Sequence, residues 1–135
     1  AIDRYRKILG IQPTNVVALN NLAYRLATNK AGIQEGLALA RKASTLAPQS
    51  ASVLDTLGWI LHLSGDDTGA ARHLDAAVLR NPRSPEIRLH TAIVSFEVGA
   101  YAAAEAHLAE ALKLDPSFET REDVRDLKAR LAKRR

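Results

Sequence analysis

The sequence predicts an all-α fold, a right-handed α-solenoid of stacked antiparallel helix pairs. Three observations predict it. Apolar residues make up 47% of the 135, yet aromatics only 4%, and Ala (24) and Leu (19) carry the apolar share. That mix favours closely packed helices over strands, which want β-branched and aromatic side chains. Four prolines, Pro13, Pro48, Pro82 and Pro116, stand 35, 34 and 34 residues apart. Sliding residues 51–84 onto 85–118 makes Gly65/Gly99, Ala70/Ala104, His73/His107, Leu74/Leu108, Ala77/Ala111 and Pro82/Pro116 coincide. Self-similarity at such a period is the signature of a repeat array.

Residues 1–13 carry one apolar stripe, Ile2, Tyr5, Ile8 and Leu9, and end at Pro13. They read as the second helix of an incomplete repeat. Units follow at 14–48, 49–82 and 83–116. In the middle unit Leu54, Leu57, Gly58 and Leu61 occupy one face of a first helix, and Ser50 can cap it. Gly65-Asp66-Asp67 makes a turn, and Ala70, Leu74, Ala77 and Val78 form the face of a second helix. Asn81-Pro82 stops that helix, because proline restricts the residue before it. Ser84-Pro85-Glu86 combines an N-cap, a first-turn proline and an acid, all of which favour a new start. Small residues recur where helices must cross closely: Ala23, Gly58 and Ala92 in first helices, and Gly36, Ala70 and Ala104 in second helices. Residues 117–135 read as a capping helix with Val124, Leu127 and Leu131 inward, Phe118 beneath and charge elsewhere.

These residues resemble the tetratricopeptide repeat (TPR) family. The middle unit follows its motif through Leu54, Leu57, Gly58, Leu61, Gly65, Ala70, Leu74, Ala77 and Pro82. The third departs by placing Arg88, Thr91 and Ser95 where Leu54, Leu57 and Leu61 stand, and the first carries one extra residue around Asn29–Gly36. The run Leu54-Asp55-Thr56-Leu57-Gly58-Trp59 also resembles bacterial TPR proteins of the cell envelope and polysaccharide-export type. That resemblance is compatible with bacterial cytoplasm or with periplasm and envelope. The family resemblance implies a TPR superhelix whose first helices line a concave groove for a peptide or an extended partner segment. One step beyond each buried face, helical geometry sets Asn20 and Tyr24, then Asp55, Trp59 and His62, then Leu89, Ile93 and Phe96. Tyr24, Trp59 and Ile93 align as a ladder for a partner, with Phe96 extending it; packing between repeats is the alternative role for Trp59. The family's carboxylate clamp is rejected: Asn20, Tyr24, Thr56, Glu86 and His90 stand at the places of its Lys/Asn/Asn/Lys/Arg set, so the lysines and the arginine are missing, and Glu86 would repel a carboxylate.

Several function classes are disfavoured. Cysteine is absent, and His62, His73, His90 and His107 include no i, i+4 pair to seat a metal. No nucleophile–base–acid set and no phosphate loop occur, so the chain reads as non-enzymatic, with no cofactor and no metal. His62 and His90 lie on adjacent first helices and read as solvated surface histidines. No apolar run is long enough to cross a bilayer. The net charge of +4 resides at the ends, since residues 15–116 hold nine bases and ten acids. Nucleic acid is therefore not the favoured partner.

The expected function is a scaffold binding a protein or peptide, in the C-terminal part of a longer bacterial TPR protein. Two alternatives stay open. One is homodimerisation through the N-terminal edge of Ile2, Tyr5, Ile8 and Leu9. The other is attachment of the basic C-terminal helix, with Arg121, Arg125, Lys128, Arg130, Lys133, Arg134 and Arg135, to an anionic surface.

Overall fold

The computed structural model describes residues 1–134. Its helices are α1 (Ile2–Ile11), α2 (Val16–Ala27), α3 (Ile33–Leu46), α4 (Ala51–Leu63), α5 (Asp67–Arg80), α6 (Pro85–Glu97), α7 (Tyr101–Leu114) and α8 (Glu122–Lys133). Short 3₁₀ turns occupy Lys30–Gly32 and Pro116–Thr120, and there is no strand among the described residues.

The periodic signals act as local chemistry demands. Asn15, Ser50 and Ser84 each cap the following first helix, accepting from the backbone N–H of Ala18, Val53 and Ile87 at 3.0, 3.3 and 3.2 Å. Each such bond satisfies one of the donors a helix start leaves over. Gln12, Ala47, Asn81 and Asp115 precede the four spaced prolines. All four leave the helical region, with φ between −126° and −141° and ψ between 68° and 93°. A proline ring crowds the residue before it out of the α region, so these positions end α1, α3, α5 and α7 alike.

The turns inside the units differ. Gly65 (φ +96°) and Gly99 (φ +82°) supply the left-handed residue that reverses the chain after α4 and α6. The first unit has no such glycine. Its extra residue is taken up by the 3₁₀ turn Lys30–Gly32, and α3 keeps Gly36, Ala40 and Ala43 buried.

Within each unit the two helices pack face to face, α2 with α3, α4 with α5 and α6 with α7. Gly58 shows why small residues sit at these crossings: a Cβ there would lie 2.8 Å from Leu74 Cγ and 3.3 Å from the Ala70 carbonyl oxygen. The first helices also touch one another in succession, α2 to α4 and α4 to α6, and α8 extends the series against α6. Among the described residues, second helices make no such contact with one another. The stack therefore bends with the first helices on the inside. The apolar core is a series of clusters along the stack, one around Leu19, one with Ala23, Leu57, Ile60 and Leu74, and one joining Leu89 and Leu108 to Val124, Leu127 and Leu131 of α8. In α6, polar groups are buried in place of leucines. Thr91 is satisfied by the Ile87 carbonyl at 2.7 Å, and Ser95 is buried one turn on. Arg88 turns outward, donating to the Pro82 carbonyl and to His107 Nδ1.

Candidate functional site

The inner face is built from equivalent positions on successive first helices, and they fall into two rows. The first row is Asn20, Asp55 and Leu89. Each is covered by the helix that follows. Asn20 Nδ2 donates to Ser52 Oγ of α4 at 3.1 Å, and Asp55 Oδ1 meets His90 Nδ1 of α6 at 2.7 Å. Leu89 is 0% exposed, packed in one cluster with Val124 and Leu127 of the cap. Leu89 consequently offers a partner no surface, which corrects its expected place in the groove lining. In the third unit it is α8 that lies over this position.

The second row is Tyr24, Trp59 and Ile93, one turn further along each helix. Tyr24 is 36% exposed, the most open of the three, whereas Trp59 and Ile93 are half-buried. Trp59 packs on the central core and its ring stacks on His90, with centroids 4.2 Å apart and planes at 17°. His62 leans against the same indole at 4.8 Å and is paired with Asp67. Phe96 packs edge-on against Tyr101 at 5.3 Å, and the Arg130 guanidinium lies over its ring. Both aromatics thus take part in inter-helix packing, and Tyr24 remains the aromatic with a free surface.

A shallow depression of about 300 Å³ opens beside Tyr24, bounded by Tyr5, Asn20, Asn21, Arg25, Ser52, Asp55 and Thr56. Asn20 is 8% exposed, and its Oδ1 is buried without a hydrogen-bond donor. Burial and the neighbouring Glu86 and Asp55 charges push the Tyr24 phenol above its usual value, so it is a neutral donor at this edge.

A chain of charges, which motif reading did not find, crosses the site. Asp55 binds His90, His90 Nε2 lies 3.3 Å from Glu86 Oε1, Glu86 Oε2 accepts from Arg121 at 2.7 Å, and Arg121 also binds Asp123. His90 is 3% exposed, so it is not the solvated histidine expected of it. The Glu86 carboxylate is compensated by His90 and Arg121, and its pKa is held at about 2. The only trace of this chain in the sequence is spacing: Asp55 and His90, and Glu86 and Arg121, each lie one repeat plus one residue apart.

At the N-terminal edge no α1 residue is buried; Ile2, Tyr5, Ile8 and Leu9 are half-covered, and Ile11 is 84% exposed. Arg6 ties α1 to Glu35 of α3 at 2.8 Å. Of the basic residues at the C-terminal end, Arg121, Lys128 and Arg130 are paired with Glu86, Glu119 and Glu97, and Arg135 lies outside the described residues. No group of His, Asp and Glu among the described residues could hold a metal ion, and no helix there is long and apolar enough to cross a membrane.

Comparison with known proteins agrees with this architecture. Residues 61–131 match a family model described as tetratricopeptide repeat. Over 77 residues the chain is 36% identical to the TPR repeat-containing protein PA4667 of Pseudomonas aeruginosa, covering 57% of this chain and only 13% of that protein's length. Among solved structures, TTC0263, a thermophilic TPR protein of Thermus thermophilus, superposes with a TM-score of 0.72 at 22% identity, over 98% of this chain and 70% of its own. MamA gives a TM-score of 0.73 at 19% identity over 98% and 82%. The Yersinia enterocolitica type III secretion chaperone SycD, solved with a peptide of the translocator YopD, gives 0.64 at 17% identity over 85% of each chain. At these identities the structural likeness establishes the fold.

Proposed function

The chain belongs to the tetratricopeptide repeat family, and from that premise we propose that it is a non-catalytic scaffold holding an extended segment of a partner protein along the inner face of α2, α4 and α6. The carrying observation is the pairing of Asn20 with Tyr24. A buried amide oxygen without a donor borders the same depression as an exposed aromatic. A buried acceptor left unpaired costs about 1–3 kcal/mol, which the amide would recover by turning its oxygen toward a main-chain N–H of a strand lying in the depression. Tyr24 then supplies the apolar anchor, as aromatic residues do at interface hot spots. The charges of this face are largely compensated among themselves by the Glu86–Arg121–Asp123 and Glu97–Arg130 pairs. Recognition therefore rests on main chain and apolar side chains. The SycD structure, with its peptide, supports the general mode.

The test is direct. Peptides are selected on the folded protein by display, and their affinity is measured for wild type, Tyr24→Ala and Asn20→Ala. Loss of at least about tenfold in affinity, with the melting temperature of Tyr24→Ala unchanged, is the expected result. Selected peptides that bind both variants as tightly as wild type would remove this reading.

A second reading rests on α1, whose apolar stripe is nowhere buried while Ile11 and Val17 are 84% and 69% exposed. Two copies would cover this edge mutually. Sedimentation showing a monomer at all concentrations would exclude it.

A further inference from the structure

The charge chain that crosses the groove has a consequence independent of any partner. His90 is 4% exposed at its side chain, and a carboxylate oxygen faces each ring nitrogen: Asp55 Oδ1 at 2.7 Å from Nδ1 and Glu86 Oε1 at 3.3 Å from Nε2. Carboxylates only accept, and a neutral imidazole has one donor and one lone pair. A neutral His90 would therefore turn a lone pair onto a carboxylate in a buried site. Glu86 is kept ionised by its second oxygen, which accepts from Arg121 Nη1 at 2.7 Å. A flat indole lies over the ring at 4.2 Å, an arrangement that attracts a cation.

We infer that His90 is a positioning residue, carried as an imidazolium between α4 and the C-terminal cap, and that its proton holds the Trp59 ring in place on the inner face. Removing the proton weakens the Asp55 bridge and the stack together, and Trp59 is released.

The groups around it are defined on every side. α4 presents Asp55 and His62, the latter backed by Asp67 of α5. α6 presents Glu86, the segment leading into α8 presents Arg121 with Asp123, and α2 brings the Tyr24 phenol near Asp55 and Glu86. Burial, the largest single influence on His90, pushes its pKa down; the Asp55 and Glu86 carboxylates together outweigh it and hold the value at about 9.

Trp59 is the only tryptophan, so the indole emission comes from this site alone, and a His62 variant separates the His62 contact from that of His90. A protonated imidazole touching an indole quenches it, and the neutral ring does so far less. Emission excited selectively at the indole is followed from pH 6 to 10 in wild type, His90→Gln, His62→Gln and Asp55→Asn. Wild type should brighten with a midpoint of about 9. His62→Gln should keep that rise, Asp55→Asn should shift it to lower pH, and His90→Gln should be bright at neutral pH without a rise. A flat wild-type profile, or a rise that survives in His90→Gln, overturns the inference. Should His90→Gln fail to fold, nitrogen-edited NMR of the wild-type ring decides: two ring N–H protons at pH 7 are required, and one contradicts.

Discussion

Gly58 offers the sharpest handle on why the helices stack as they do. Replacing it with Ala adds one methyl in the middle of α4. Taken alone, the change stabilises a helix by about 1 kcal/mol. Here the new Cβ would lie 2.8 Å from Leu74 Cγ, 3.2 Å from Leu74 Cδ2 and 3.3 Å from the Ala70 carbonyl oxygen. Leu74 is 0% exposed and surrounded by core, so it has nowhere to move. Overpacking of this kind costs about 1–3 kcal/mol. The two effects oppose, and packing wins: Gly58→Ala should destabilise by about 1 kcal/mol, or roughly 3–5 °C in melting temperature for a chain of this size. Leu74→Ala should cost about 2–5 kcal/mol and leave room for the new methyl. In that background Gly58→Ala should change sign and stabilise. Denaturant titration of the four proteins closes the cycle, with a coupling of about 1–3 kcal/mol expected. If Gly58→Ala stabilises both backgrounds equally, helix propensity alone governs the site and the close crossing of α4 and α5 is not what selects glycine.

Other outcomes follow from the same structure. Gly65→Ala should cost about 1–2 kcal/mol although a Cβ there meets nothing within 4 Å, because its φ of +96° disfavours any L side chain; Gly10→Ala, equally open and helical, should be neutral or stabilising by up to about 1 kcal/mol, and thermal melts separate the two. His90 has a folded pKa of about 9 against 6.5 for the free side chain, so its contribution is complete below pH 6.5 and is lost as pH rises through 9. The loss should reach about 3 kcal/mol, read as a falling urea midpoint between pH 6.5 and 10 and abolished in His90→Gln. Glu86 works in the opposite direction, its pKa lowered from 4.5 to about 2, so its contribution is present above pH 4.5 and is lost on acidification toward pH 2. Val124→Ala should loosen the cap and expose Leu89, seen as faster hydrogen exchange in α6 and α8 than in α2.

The architecture was legible because each unit carries its own punctuation. Ser50 and Ser84 cap, the prolines force Ala47 and Asn81 out of the helix, and Gly65 and Gly99 reverse the chain; these are local effects that a sequence displays directly. The inward face of α8, Val124, Leu127 and Leu131, was legible from its spacing. The site was less so, because its character depends on which helix covers which. Asn20, Asp55 and Leu89 occupy equivalent positions, yet one faces a serine, one a histidine and one a leucine-lined cap. Helical geometry assigns all three to the inner face but cannot say that α8 closes over Leu89. Trp59 differs from Tyr24 for the same reason: the next first helix offers His90 as a stacking partner to Trp59. Arg121 read as part of a basic tail, and only the fold brings it to Glu86, 35 residues earlier.

The claim that the inner face is the working surface is tested most directly by backbone amide shifts recorded during titration with a display-selected peptide. The inner-face reading requires the largest changes at Asn20, Asn21, Tyr24, Ser52, Asp55 and Thr56, around the depression, with the outward sides of α3, α5 and α7 silent. Saturable binding whose shifts fall on α5 and α7, or on α1 alone, would contradict it.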